Sequence, residues 1–337
     1  MRKLLTTAVA ATAALIAGTA LAQDYPWKPD RPITLIVPWA AGGSTDQMAR
    51  IVVAELEPEL KQKVVVVNQP GASGSVGTKG VLEGAKDGYT WAAGAAVDIG
   101  GYKVLGLLDS ELKNWNLFFA VANVNTVSAN PNAPFKDFGQ FLDTLKKNGK
   151  NVPVATAGLS SAGHNMMETI RKAAPGVEYR HVTYDGGNPA VLSAVSGETQ
   201  VAAQLLVEMS EFIKGKRLIP LAVQAEKSVM LDGYGEIPPV TKWLPNMPAP
   251  LNYFGIWAPK GTAEPVIQTM DMVWKRKIAN SEALKKYAGA RAALFTPISG
   301  EEAAREAMKM VTQTVWLYYD AGKAKASPET IGIARPQ

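Results

Sequence analysis

The feature that most constrains this chain lies near its start, where an apolar strand, a glycine loop, a helix and a second strand follow without a break. Residues 33–37 (Ile-Thr-Leu-Ile-Val) read as a buried strand. Gly42-Gly43-Ser44-Thr45-Asp46 then opens a helix predicted to reach about Lys61, with Met48, Ile51, Val52 and Leu56 at helical spacing. Residues 64–67, four consecutive valines, form the next strand. No tight hairpin joins these two strands. They therefore run parallel, with the helix covering the sheet.

The alternation continues along the chain. Helices are predicted over 76–85, 135–147, 162–173 and 189–196, with Asn188 as N-cap of the last and Pro189 in its first turn. Strands are predicted over 89–93, 152–156, 179–184, 201–206 and 218–224, with 118–129 apolar and extended. Pro220 places the 218–224 strand at an edge or an irregular point. Two amphipathic helices follow in the tail, the last over 301–321 with Ala304, Ala307, Met308, Val311, Val315 and Tyr318 on one face. The expected class is an α/β protein with mostly parallel sheets.

The first residues have the pattern of a secretory signal: Arg2 and Lys3, an uncharged stretch from Leu4 to Leu21, and the small-x-small site Ala20-Leu21-Ala22. Cleavage is expected after Ala22. A membrane anchor is the alternative, at the lower limit of spanning length. With 337 residues and no cysteine, the chain is large enough for two lobes. It must be held by packing alone, without disulfides, thiolate metal sites or a lipid-modified cysteine. Its 35 basic and 30 acidic residues are too evenly balanced to suggest nucleic acid.

Three small-residue loops stand at strand ends, where open α/β sheets bind ligands. They are Pro38-Trp39-Ala40-Ala41-Gly42-Gly43-Ser44-Thr45-Asp46, Gly71-Ala72-Ser73-Gly74-Ser75-Val76-Gly77, and Thr156-Ala157-Gly158-Leu159-Ser160-Ser161-Ala162-Gly163-His164. A helix start after such a loop offers unpaired N–H groups and a positive dipole end to a carboxylate. Ser44, Thr45 or Asp46 would serve equally as a plain N-cap. Tyr184-Asp185-Gly186-Gly187-Asn188-Pro189 is a fourth loop of this kind, and the Tyr184 hydroxyl points either into a cleft or into a core.

Enzyme signatures are weak. Gly71, Gly74 and Gly77 are spaced GxxGxxG rather than GxGxxG, and GxxxxGK[ST], HExxH and GxSxG are absent. His164 and His181 are the only histidines. No catalytic residue, metal site or cofactor is expected. A secreted α/β hydrolase remains an alternative, requiring a serine within reach of one of these histidines.

The run Ile36-Val37-Pro38-Trp39-Ala40-Ala41-Gly42-Gly43-Ser44-Thr45-Asp46, with Ala49-Arg50 behind it, resembles the N-terminal signature of the tripartite tricarboxylate transporter substrate-binding receptors, the Bug family. Val66-Val67-Asn68-Gln69-Pro70-Gly71-Ala72-Ser73-Gly74 resembles that family's second block and Asp87-Gly88-Tyr89-Thr90 its third. His164, the stretch from His181 to Ala190, and Phe254-Gly255-Ile256-Trp257-Ala258-Pro259-Lys260-Gly261-Thr262 resemble later blocks.

The resemblance implies a type II periplasmic binding protein fold, two Rossmann-like lobes joined by two crossovers near 125–129 and 219–224. Domain I would comprise residues 23–126 and 225–337, and domain II residues 127–224. It implies a periplasmic receptor, acting as a monomer, that closes over a small carboxylate and delivers it to membrane permease subunits. A receptor that presents its ligand to a membrane kinase is the alternative.

The residues this reading assigns to the ligand are Trp39, Ala41, Gly42, Gly43, Ser44, Thr45, Asp46, Ser73, Asp98, Gly158, Ser160, Ser161, His164, Tyr184 and Asp185. Asp98 and Asp185 depart from the family pattern. If both face the cleft, they disfavour a polyanion and suit an amine-bearing or hydroxyl-rich ligand; the alternative places both in solvent.

Overall fold

The computed structural model describes residues 24–336. The proposed signal and its cleavage site lie outside these residues. Among the described residues, no helix is long and apolar enough to cross a membrane.

The chain builds β1 (Ile33–Val37), α1 (Ser44–Leu60), β2 (Val64–Asn68), α2 (Ser75–Glu83), β3 (Thr90–Ala95), α3 (Ala96–Leu105) and β4 (Trp115–Asn123). It changes sheet at Val124 and continues through β5 (Asn125–Ala129), α4 (Phe138–Asn148), β6 (Pro153–Thr156), α5 (Ala162–Ala173), β7 (Arg180–Thr183), α6 (Gly187–Ser196), β8 (Val201–Leu205), α7 (Leu206–Lys214) and β9 (Ile219–Val223). A hairpin of β10 (Val229–Leu231) and β11 (Gly235–Ile237) precedes β12 (Asn252–Pro259), α8 (Glu264–Arg276), α9 (Glu282–Ala290), β13 (Leu294–Ser299) and α10 (Gly300–Asp320).

Two sheets result, ordered β13-β4-β12-β3-β1-β2 and β7-β6-β8-β5-β9. In the first, β1 lies parallel between β2 and β3, and β12 is antiparallel to β3. In the second, β6 lies parallel between β7 and β8, and β5 is antiparallel to β8. The two lobes thus repeat one topology, in which β1-α1-β2-α2-β3-α3 corresponds to β6-α5-β7-α6-β8-α7. This is the two-lobed α/β architecture of periplasmic binding proteins.

Each lobe has its own core. The buried face of α1 (Met48, Val52, Leu56, Leu60) meets Leu35, Trp91 and Trp274 in the first. Phe135, Phe138 and Phe141 meet Val154, Met167 and Ile170 in the second. Val240 and Met247 pack in this second core, and Leu231 and Ile237 also pack against second-lobe residues. The return to the first sheet therefore comes at β12, later than the crossing expected near Gln224. Pro220 stands on β9, an edge strand paired only with β5, beside a register shift at Val127/Ser128.

Several expectations need correction. The extended run 118–129 is two strands in different sheets. The tail after β12 carries three helices rather than two, and on α10 Met310 is buried while Met308 is 37% exposed. The N-cap of α6 is Gly186, not Asn188. Helices α3 and α7 went unforeseen because β3 and β8 run straight into them with no turn residue between. The Gly100-Gly101 pair also resembles a helix breaker, but it is there for packing. A Cβ on Gly100 would stand 2.4 Å from Val311 Cγ2 of α10.

Gly100→Ala should therefore cost about 1–3 kcal/mol by overpacking, in spite of alanine's better helix propensity. Combining it with Val311→Ala should restore stability relative to the sum of the single losses by about 0.5–3 kcal/mol in urea unfolding. Strictly additive losses would contradict the contact.

Candidate ligand-binding site between the lobes

The equivalent strand ends of the two lobes face each other, and the pairing is reciprocal. The loop before α1 meets the loop before α6, where Ala40 N–H donates to Asp185 O (2.9 Å) and Asn188 Nδ2 to Ala41 O (3.4 Å). The loop before α5 meets the loop before α2. There Leu159 N–H donates to Ser73 Oγ (2.9 Å) and Ser160 Oγ donates to Ser73 O (3.0 Å). The second contact depends on backbone geometry found in few residues. Ser73 has a left-handed φ of 56°, and Gly158 has a φ of 121° with room for no Cβ, which would lie 2.5 Å from Ser73 Oγ.

Between these contacts is a small cavity of about 30 Å³, with room for little more than a water or two. The N-termini of α1 (Gly43, Ser44, Thr45), α5 (Ser161, Ala162) and α6 (Gly187) open onto it. Trp39, Ala95, Asp98, Ala157, Gln204, Leu205, Glu208 and Phe254 complete the wall, and among the described residues no Lys, Arg or His lines it. A larger space of about 580 Å³ lies between α5, α10 and residues 243–250, but no glycine loop opens onto it.

Two acids dominate this cavity. Asp98 occupies the third position of α3, is 4% exposed, and lies 3.4 Å from Ser160 Oγ of the opposite lobe. Burial pushes its carboxyl up to about 8, against hydrogen bonds from Ser160, Trp39 and the Ala95 amide that pull it down. Glu208 occupies the third position of α7, and its Oε1 accepts the Ser44 N–H at 2.8 Å. Burial raises it too, opposed by the Ser44 and Leu205 hydrogen bonds. The amide expected to hold a ligand carboxylate is thus engaged by the protein's own glutamate.

The remaining expected residues divide. Ser161 is the N-cap of α5, accepting from His164 N–H. Asp46 braces the first loop from behind, accepting from Gly42 N–H (3.0 Å), Arg50 and Asn68. Burial alone would raise its carboxyl, but these donors outweigh it and hold it low. Tyr184 donates to Glu198 Oε1 (2.9 Å) and is not in the cavity wall. Asp185 contributes only its carbonyl, its side chain being exposed, so the pair that faces the cleft is Asp98 with Glu208 rather than with Asp185.

His164 is not in the cavity wall but helps clasp the lobes together. Its Nδ1 meets Leu159 O (2.8 Å) and its Nε2 meets Lys323 Nζ (3.0 Å). Because the ammonium only donates, the proton is assigned to Nδ1. Lys323, just beyond α10, also pairs with Glu168 of α5 (2.8 Å), and Tyr318 OH donates to Leu159 O (2.9 Å). His181 stacks on His164 with ring centroids 4.4 Å apart and bonds Thr156 Oγ1 (2.6 Å). Neither imidazole bonds a serine, so the hydrolase arrangement does not form. Glu208, Gln204, Glu168 and Lys323 were not anticipated; the visible signals were two polar residues at an otherwise apolar stretch, Gln204 within 201–207 and the acid Glu208 directly after it.

Two α/β lobes that clamp a small cavity with main-chain amides define a solute-binding receptor. A family model for the tripartite tricarboxylate transporter family receptor matches residues 48–313. A Pseudomonas sp. (strain P51) protein, the UPF0065 protein in the tcbD-tcbE intergenic region, is 30% identical over 285 residues, covering 81% of this chain and 82% of its own. Among solved structures, the periplasmic binding protein BugD superposes with a TM-score of 0.80 at 24% identity, covering 88% of this chain and all of its own. A malate-bound protein of Rhodopseudomonas palustris gives 0.76 at 21% identity, covering 87% and 99%. The chain belongs to the tripartite tricarboxylate transporter receptor family, the Bug receptors, and is a receptor rather than an enzyme.

Burial lowers His164 from 6.5 to about 4, helped by Lys323, and lowers His181 to about 3, helped by His164 and Lys323. The unfolded chain therefore binds more protons between about 6.5 and 4, and stability should fall as pH drops through that window. His164→Asn, which keeps a donor for Leu159 O, should flatten the slope in urea unfolding at stepped pH. Parallel curves for the two proteins would remove the clasp from the account.

Proposed function

We propose that this receptor captures a small carboxylate-containing solute between its lobes in the periplasm and delivers it to the membrane permease of a tripartite tricarboxylate-type transporter. The observation that carries the reading is the convergence of the α1, α5 and α6 N-termini on one cavity. The malate complex of the Rhodopseudomonas palustris protein supports a carboxylate as the common ligand element. An export signal over residues 1–22 would place the chain outside the cytoplasm. One copy suffices, because both halves of the site come from the same chain.

The mechanism is capture by domain closure. Residues 24–123 and the chain from β12 onward move as one body, and residues 125–224 with the β10–β11 hairpin as the other. When the lobes part, Glu208 leaves the Ser44 amide and that N–H becomes free for a ligand carboxylate. Trp39, Gly43 and Thr45 line the first lobe's side and Ser161 the second's, while Ala41, Gly42, Ser73, Gly158 and Ser160 belong to the loops that frame the cavity and meet across it. Closure then excludes water from the bound carboxylate, which strengthens its hydrogen bonds.

A thermal-shift screen of small carboxylates on the mature protein should find ligands that raise the melting temperature with concentration, by about 2.7 kcal/mol of stabilisation at a hundredfold excess over Kd. Gly43 has an ordinary φ of −74°, so Gly43→Val should fold. Its γ-methyls would occupy the space in front of the Ser44 amide, and binding should weaken by about tenfold or more. Undiminished affinity in that variant would place the site elsewhere.

A further inference from the structure

We infer that the ligand is an amino-carboxylate, and that Asp98 and Glu208, one from each lobe, hold its cationic nitrogen while the main-chain amides hold its carboxylate. This rests on the receptor reading above and narrows it.

The cavity wall contains two acids and no basic side chain. The acids reach it by the same device in each lobe, the third residue of a helix entered directly from a strand. Each faces the opposite lobe, Asp98 toward Ser160 and Glu208 toward Ser44. Closure around a dicarboxylate would bring ligand charges against both, with only helix dipoles to offset them.

The unpaired atoms point the same way. Glu208 Oε2 is a buried acceptor without a partner. Its carboxylate fits only because position 187 is glycine, where a Cβ would lie 2.1 Å from Oε1. Gln204, 2% exposed on the same wall, has an Nε2 without a partner. One buried acceptor and one buried donor therefore face a single small space, and a ligand that displaces water from it must supply partners for both. A carboxylate oxygen satisfies the Gln204 amide and the Ser44 N–H that Glu208 gives up. An ammonium satisfies Glu208 Oε2 and Asp98. Each of these is a charge-assisted bond in a dry site. Because Glu208 touches the amide that the ligand carboxylate would take, the two ligand groups must lie close together, as in a short amino acid.

Isothermal titration of the mature receptor with carbon-matched sets tests this. The three-carbon set is propionate, lactate, malonate and alanine; the four-carbon set is butyrate, succinate and 2-aminobutyrate. The amino member should bind about tenfold or more tighter than its partners, and should tighten from pH 6 to 9 as Asp98 ionises. Glu208→Gln keeps the shape and an acceptor for Ser44, and Asp98→Asn does the same on the other lobe. Each should weaken the amino member by about tenfold and leave the dicarboxylates unchanged or tighter. Tighter binding of succinate or malonate, weakening as pH rises, would overturn the inference alone, since the acids would then be protonated donors to a second carboxylate. A preference for lactate would overturn it likewise. Heat from no member of either set, in wild type and both variants, would sink the receptor reading together with it.

Discussion

The structure depends on one electrostatic arrangement: helices from both lobes begin at the same small volume, where the Ser44 N–H is taken by Glu208. A main-chain amide carries no side chain to reposition, so its direction is set wholly by the strand and loop before it. The sheets fix those directions. With β1 and β6 at the centre of parallel three-strand units, α1 and α5 begin at corresponding strand ends, and the crossing at Val124 turns one set to face the other. The convergence is built by topology, without a lysine or arginine among the described residues of the wall.

Closure uses the same parts. The loops that frame the cavity also bond across it, and two of these contacts mirror each other in the two halves of the molecule: Ala40 with Asp185, and Leu159 with Ser73. Most of these are single neutral hydrogen bonds, individually worth about 1 kcal/mol. Several together hold the lobes while leaving each contact easy to break. The Lys323–Glu168 pair and the two stacked imidazoles stand behind this layer, on α5 and beyond α10. A like-charged cluster would form there if both rings were protonated.

Much of the fold was legible in the sequence because strands such as 33–37 and 64–67 are nearly pure β-branched or aliphatic runs and each glycine loop punctuates a strand end. The legible part stopped where punctuation is missing. Ala95-Ala96 and Leu205-Leu206 carry the chain from strand to helix with no glycine, proline or capping side chain, so α3 and α7 were invisible, and with them the two acids they aim inward. The first loop stands out in the sequence as a candidate site, but the part each of its residues plays does not. Asp46 and Ser44 are neighbours of one composition; contacts from Arg50 and Asn68 make the former a brace, while Glu208, 164 positions away, engages the latter. Tyr184 and Asp185 read as equal candidates with Ser160, and only the turn of the backbone sends one side chain to Glu198 and the other to solvent.

The single residue between β4 and β5 has a mechanical consequence. Val124 is the whole of one connection between the sheets, and its carbonyl is tied to Leu206 N–H. So short a link has no slack, and the lobes cannot slide past or drift away from one another there. Their freedom at that point is torsional, a twist shared among a few backbone angles. A small rotation at the pivot becomes a wide swing at the far rim, as in a pair of tongs riveted close to one end.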